Sequence, residues 1–224
     1  MSENTKAAKA VEKVDADYSL EAVPESARKG FWNMFFVMVG FTFFSASMSV
    51  GAKLGNGLDL SGFIWACIIG GVILSAYCGV LAFIGASTGM TMDLLCRRAF
   101  GTKGSYLSSF LLGFTQIGWF GVGVAMFSIP AAELLGVNEW VLTIIAGLLM
   151  TATAATGMKG LEIVAYISVP LIVILGVYSM ITAGVEGGGL AAIFGQSAGK
   201  ISLFTGVGYV IGSFISGGTA TPNF

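Results

Sequence analysis

Six stretches of this chain run for at least 18 residues without an Asp, Glu, Lys, Arg or His, and no other property limits its fold so tightly. They fall at about 31–52, 62–86, 105–129, 140–157, 163–183 and 201–220. Each is long enough to cross, as a helix, the roughly 30 Å of hydrocarbon in a bilayer. Strands are a poor fit, because the runs are too long and lack the alternation of a membrane barrel. Helices also satisfy their own backbone groups where there is no water to do so. The sequence therefore predicts an all-α integral membrane protein of about six transmembrane helices, with a polar N-terminal tail at 1–29 and a transmembrane domain at 30–224.

Composition narrows the function classes. Only 10% of the residues are charged, against about 25% in a soluble domain. A net charge of −1 leaves no basic stripe for nucleic acid. Cys67, Cys78 and Cys96 have no CxxC spacing, and the chain has no histidine to complete a zinc site. No nucleophile with a nearby base is evident, so an enzyme is not expected, and neither is a cofactor. The tail lacks the apolar core of a cleaved signal peptide and reads as cytoplasmic and unstructured. Arg28, Lys29, Arg97, Arg98, Lys103 and Lys159 fall on one side of an alternating topology, against Lys53 and Lys200 on the other. The positive-inside rule then places the N-terminus in the cytoplasm of a cell whose inner membrane holds the protein. The basic connection at 87–104 reads equally as a short interfacial helix or as a solvated loop.

Three segments carry the residues with chemistry in them. The first, FWNMFFVMVGFTFFSASMSVGA, concentrates Gly40, Thr42, Ser45, Ser47, Ser49 and Gly51 in its second half. Such residues allow close packing, and equally allow a helix to unwind. The sixth, ISLFTGVGYVIGSFISGGTATP, holds Gly206, Gly208, Gly212, Gly217 and Gly218 among Ser213, Ser216 and Thr219, a costly composition for a continuous helix. Gly-interrupted segments at corresponding positions of two halves point to the midplane site of a transporter. In the third, Gln116 and Trp119 are three apart and share one helix face. An indole beside an amide suits a flat heterocycle, although the same pair can simply bridge and pack two helices. No Asp, Glu, Lys, Arg or His lies mid-segment. That favours a neutral substrate and a driving ion held by carbonyls and hydroxyls, sodium above all.

The strings VPESARKG, GFTFFSAS, TQIGWFGVGVAMF and GSFISGGT are long and specific, and through them the chain resembles the nucleobase-cation-symport-1 (purine-cytosine permease) family. The resemblance implies a leucine-transporter-type five-plus-five inverted repeat with broken first and sixth helices and alternating access. It implies a sodium-coupled symporter that imports a nucleobase, cytosine being favoured because the strings lie closest to that branch. Hydantoin, uracil, allantoin, a purine or a thiamine precursor is the alternative cargo, and a truncated membrane fragment without transport is the alternative fate. In similar transporters the base lies between aromatic rings matching Trp119 and Phe214, with polar groups matching Gln116, Ser213 and Ser216. The related sodium site takes backbone carbonyls matching Gly40 and Phe43. Family members are about twice as long, which implies that a missing C-terminal half, helices 7 onward, completes the site.

Overall fold

The computed structural model describes residue 18, residues 21–195 and residues 199–224, and its regular structure is entirely helical among these. Most of the expected tail lies outside the described residues. Its last part, from residue 21, is not the loose segment anticipated. Val23 N–H donates to the Gly89 carbonyl at 2.8 Å, one 3-10 turn forms at Glu25–Ala27, and the Arg28 guanidinium donates to the Ala86 carbonyl at 2.8 Å. The last carbonyls of a helix have no partner within it, and here the chain's own tail supplies donors for them.

The first expected span is two helices, α1 (Phe31–Thr42) and α2 (Ser45–Gly57), bent by 53° at the break between them. After a two-residue link comes α3 (Leu60–Thr88), opened by Asp59, whose carboxylate accepts from Gly62 N–H. It closes at Gly89 in the left-handed region, φ 67°. A side chain there would also meet the Val23 carbonyl at 2.6 Å, so glycine is required twice over. The basic connection is helical rather than a loop, and belongs to α4 (Met92–Leu135), which is turned sharply at Gly101, φ 70° and ψ 177°. Asp93 accepts a hydrogen bond from the Ser109 hydroxyl and ties the two arms of that turn together. The remaining helices are α5 (Glu139–Ala154), α6 (Gly157–Glu186), α7 (Leu190–Gly195) and α8 (Leu203–Thr219), the last followed by a 3-10 turn at Thr221–Asn223.

Four helical stretches are long and apolar enough to cross a membrane, and the bent α1/α2 pair makes a fifth. The fourth expected span, α5, has 16 residues, or about 24 Å at 1.5 Å per residue. That is short of the full hydrocarbon thickness. Large apolar side chains point outward along all of them, Phe204 at 89% and Leu134 at 86% exposure among them, as lipid-facing surfaces do.

Two parallel helix pairs organise the molecule. On α3, Ala66 and Gly70 lie against Gly206 and Val210 of α8, while further along Tyr77 hydroxyl bonds Thr219 hydroxyl at 2.8 Å. A Cβ on Gly206 would come within 3.3 Å of Leu58, Ala66 and Leu54, the buried cluster at this contact. Close approach of this kind at Gly206, Gly217 and Gly218 lets α8 run through its five glycines, and the α-helix gives way only after Thr219, to the 3-10 turn at Thr221–Asn223. Close backbone approach returns more through packing than glycine loses through propensity. The second pair is α1 with α6. Lys29 pairs with Glu162 at 3.0 Å, Tyr166 hydroxyl donates to Asn33 at 2.8 Å, and a Cβ on Gly40 would lie 3.3 Å from Val169. Pro170 is carried within α6. Arg28 and Lys29 thus gather the ends of α3 and α6 at one pole, while Ile201 N–H donates to the Gly57 carbonyl at the other.

Candidate functional site

At the break in α1 the backbone abandons the helical ladder over two residues. Phe43 takes φ −76° and ψ 68°, and Phe44 is extended. Phe44 N–H, which would continue the ladder to the Gly40 carbonyl, donates instead to Thr42 at 2.9 Å. Ser47 N–H, which would serve Phe43, donates to Phe44 at 2.9 Å. The carbonyls of Gly40 and Phe43, the two picked out for a cation, therefore both lose their helical donors at this one place. They also sit at the C-terminal, electronegative end of α1. Hard, neutral oxygens of this kind suit an alkali cation. Among the described residues no group of three or more His, Cys, Asp or Glu is positioned to hold a metal.

Beside the break, α4 and α8 meet in a polar node. Gln116 Nε2 donates to the Ser216 carbonyl at 3.0 Å, and Trp119 Nε1 donates to the Ser216 hydroxyl at 2.8 Å. All three residues are half-buried. The i, i+3 spacing on α4 aims both side chains at one residue of α8 about a hundred positions away. A buried amide and an indole N–H left unpaired in this setting would each be penalised, and Ser216 satisfies both.

The other two candidates on α8 face elsewhere. Ser213 turns its hydroxyl back to the Val210 carbonyl at 2.7 Å. Phe214 stands two residues from Ser216, about 200° around a helix of 3.6 residues per turn. Its ring meets Phe41 edge-on, with centroids 5.4 Å apart. Trp119 instead meets Phe44 at 5.7 Å and 79°. The structure thus joins Gln116, Trp119 and Ser216 directly. Phe214, on the same helix as Ser216, turns instead to Phe41 of α1, and Phe41 and Phe44 stand on either side of the break. These two phenylalanines escaped the sequence reading, which weighed the hydroxyls and glycines of GFTFFSAS and not its rings. Their position flanking the residues able to unwind was the available signal.

A cavity of ≈ 350 Å³ reaches the node from the basic pole, between the bent-back start of α4 at Cys96 and Phe100 and the stretch formed by Leu112, Thr115, Ser216 and Thr219. Its volume is in the range that accepts a single small ring compound.

Comparison with known proteins agrees with this architecture. The family model described as permease for cytosine/purines, uracil, thiamine, allantoin matches residues 22–224. The cytosine permease of Escherichia coli K12 is 47% identical over 211 residues, which cover 94% of this chain and 50% of that protein. The cytosine permeases of strains O6:H1 and O157:H7 match to the same degree. The chain spans about half the length of these curated relatives. With 22–224 matched from the tail strap through the break in α1 to the node on α8, the chain belongs to the family of permeases for cytosine/purines, uracil, thiamine and allantoin.

Proposed function

We propose that this chain forms the first half of a sodium-coupled nucleobase symporter of the inner membrane, with cytosine as its cargo, an N-terminus in the cytoplasm, and alternating access to a site between α1, α4 and α8. The carrying observation is the node in which Gln116 and Trp119 converge on Ser216 beside the broken helix. In this reading Trp119 and Phe214 supply aromatic walls, Gln116, Ser213 and Ser216 read the polar edge, and the carbonyls of Gly40 and Phe43 hold sodium. Ligand binding exchanges the Gln116 hydrogen bond for one to the base, while the Trp119 N–H, in the plane of its ring, keeps the Ser216 hydroxyl and leaves the ring face to the base, so no donor is left unpaired in either state. A stacking wall accepts any flat ring, whereas the amide discriminates hydrogen-bond patterns. The remaining half of the protein, helices 7 onward, completes both sites. The similarity to cytosine permeases supports the choice of cargo.

Uptake of radiolabelled cytosine by the full-length protein tests this. Replacing sodium by choline should abolish uptake, and unlabelled cytosine should compete better than uracil, hydantoin, allantoin, purines or thiamine precursors. Uptake that survives sodium removal but collapses with a protonophore, at clamped membrane potential, would overturn the ion assignment. Preferential competition by another of these compounds would overturn the cargo.

A further inference from the structure

The bent-back arm of α4 builds a second cavity that the transport reading does not use. It measures ≈ 380 Å³ and is lined by Glu21, Ala22, Met90, Leu94, Arg97 and Arg98. Gly101 folds this arm against the rest of α4, and the Asp93–Ser109 hydrogen bond holds it there. Asp93 is thereby engaged away from the two arginines. Arg28, the nearest cation on the tail, is committed to the carbonyls of Ala86 and Val23. Both Arg97 and Arg98 are exposed, and Phe100 beside them is 67% exposed. The arm lies where α3 ends and α4 begins, so the surface it meets is the headgroup layer of the membrane that these helices cross.

We infer that this cavity binds the headgroup of a singly anionic phospholipid, with the phosphate between Arg97 and Arg98, the upper acyl chains on Met90 and Leu94, and Phe100 set into the interface. Guanidinium pairs match phosphate oxygens in geometry as well as charge. The charge count selects the lipid. Two arginines and one glutamate give the lining a net charge of +1, which a headgroup of net charge −1 neutralises and a zwitterionic one does not. Glu21 then acts as a brake on affinity rather than a ligand.

The test uses purified full-length protein titrated with short-chain phosphatidylglycerol, phosphatidylethanolamine or phosphatidylcholine in detergent, read by native mass spectrometry. Phosphatidylglycerol should be retained over both others. Each basic residue near a membrane surface contributes about 1 kcal/mol, so Arg97→Gln and Arg98→Gln should each weaken its binding about fivefold. Glu21→Gln should tighten it. Because neutral variants at 97 and 98 also weaken the topology signal, Arg97→Lys/Arg98→Lys provides a second arm: it keeps the charge and loses the fork, and should still weaken phosphatidylglycerol binding. Equal retention of all three lipids, or no effect of the single glutamine variants or of the double lysine variant, would overturn the proposal. A preference for phosphatidylethanolamine that Glu21→Gln abolishes would overturn it too, in favour of an amine-bearing headgroup.

Discussion

Removing one oxygen atom at Ser216 tests whether the α4–α8 node is an interaction or a coincidence of placement. In Ser216→Ala the indole N–H of Trp119 loses its acceptor, while Gln116 keeps the backbone carbonyl. An interhelical hydrogen bond in a membrane protein is worth about 0.6 kcal/mol on average and at most about 1.7. A half-buried donor left without a partner adds a desolvation penalty of about 1 kcal/mol, at the lower end of the usual range. Ser216→Ala should therefore destabilise by about 1.6 to 2.7 kcal/mol. Trp119→Phe should lose less from the bond itself, because the freed serine hydroxyl can turn back to its own helix, as Ser213 already does. Once Trp119→Phe is in place, Ser216→Ala should be nearly neutral. The coupling energy from this double-mutant cycle should then be nearly the whole of that effect, about 1.6 to 2.7 kcal/mol, measured by denaturant unfolding of the full-length protein in mixed micelles. Additive effects, with no coupling, would refute the node.

Trp119→Ala and Phe214→Ala should each weaken cytosine binding by about 1 to 3 kcal/mol, the range for base–aromatic stacking, while Gln116→Ala should change selectivity among bases; calorimetric titration of the full-length protein separates the two outcomes. Gly70→Ala should destabilise by about 1 to 3 kcal/mol, because its Cβ would meet Val210 at 2.7 Å. Gly71→Ala, with nothing within 4 Å, should be neutral or stabilising by up to about 1 kcal/mol, and thermal unfolding compares them directly. Cysteine placed at Asn138 should react with an impermeant maleimide added outside intact cells, and cysteine placed at Lys103 should not.

Spans were legible because length and freedom from charge are sufficient to recognise them. The break in α1 was legible as a possibility, since glycines and hydroxyls permit it, but its position was not. Dihedrals at Phe43 and Phe44 depend on where α1 must lie against α6 and where α2 must turn, and neither contact is local in sequence. The same composition has a second meaning at α8. Glycines weaken an isolated helix, yet here Gly206 and Gly218 meet Leu58 and Cys78 at distances no Cβ would allow, and Gly217 packs tightly on Phe41. Tertiary packing decided between the two meanings of glycine. For Gln116 and Trp119, spacing showed a shared face but could not name Ser216 as the partner, because 97 and 100 residues of chain separate them. The tail strap was hidden for the opposite reason: a short polar segment looks unstructured until the unpaired carbonyls at the end of α3 are in view.

The break in α1 leaves backbone groups of both signs without helical partners. Phe44 N–H and Ser47 N–H rebond to the Thr42 and Phe44 carbonyls, so the carbonyls of Gly40 and Phe43 give up their helical donors. The N–H groups that open α2 in turn have no side-chain cap. In a membrane an unsatisfied backbone group costs about several kcal/mol, so a chain that could close this helix would do so unless something offsets the loss. The α1 carbonyls are oxygens at the negative end of a helix dipole, and in the proposed reading a small cation would offset their loss without a carboxylate. Phe41 and Phe44 also diverge at this point, one ring toward Phe214 and the other toward Trp119. Whatever settles the carbonyls therefore fixes the relative position of the two rings. A cation bound at the break and a flat ring bound near α4 and α8 would each favour the same arrangement of α1 and α2, which is the coupling that a symporter requires.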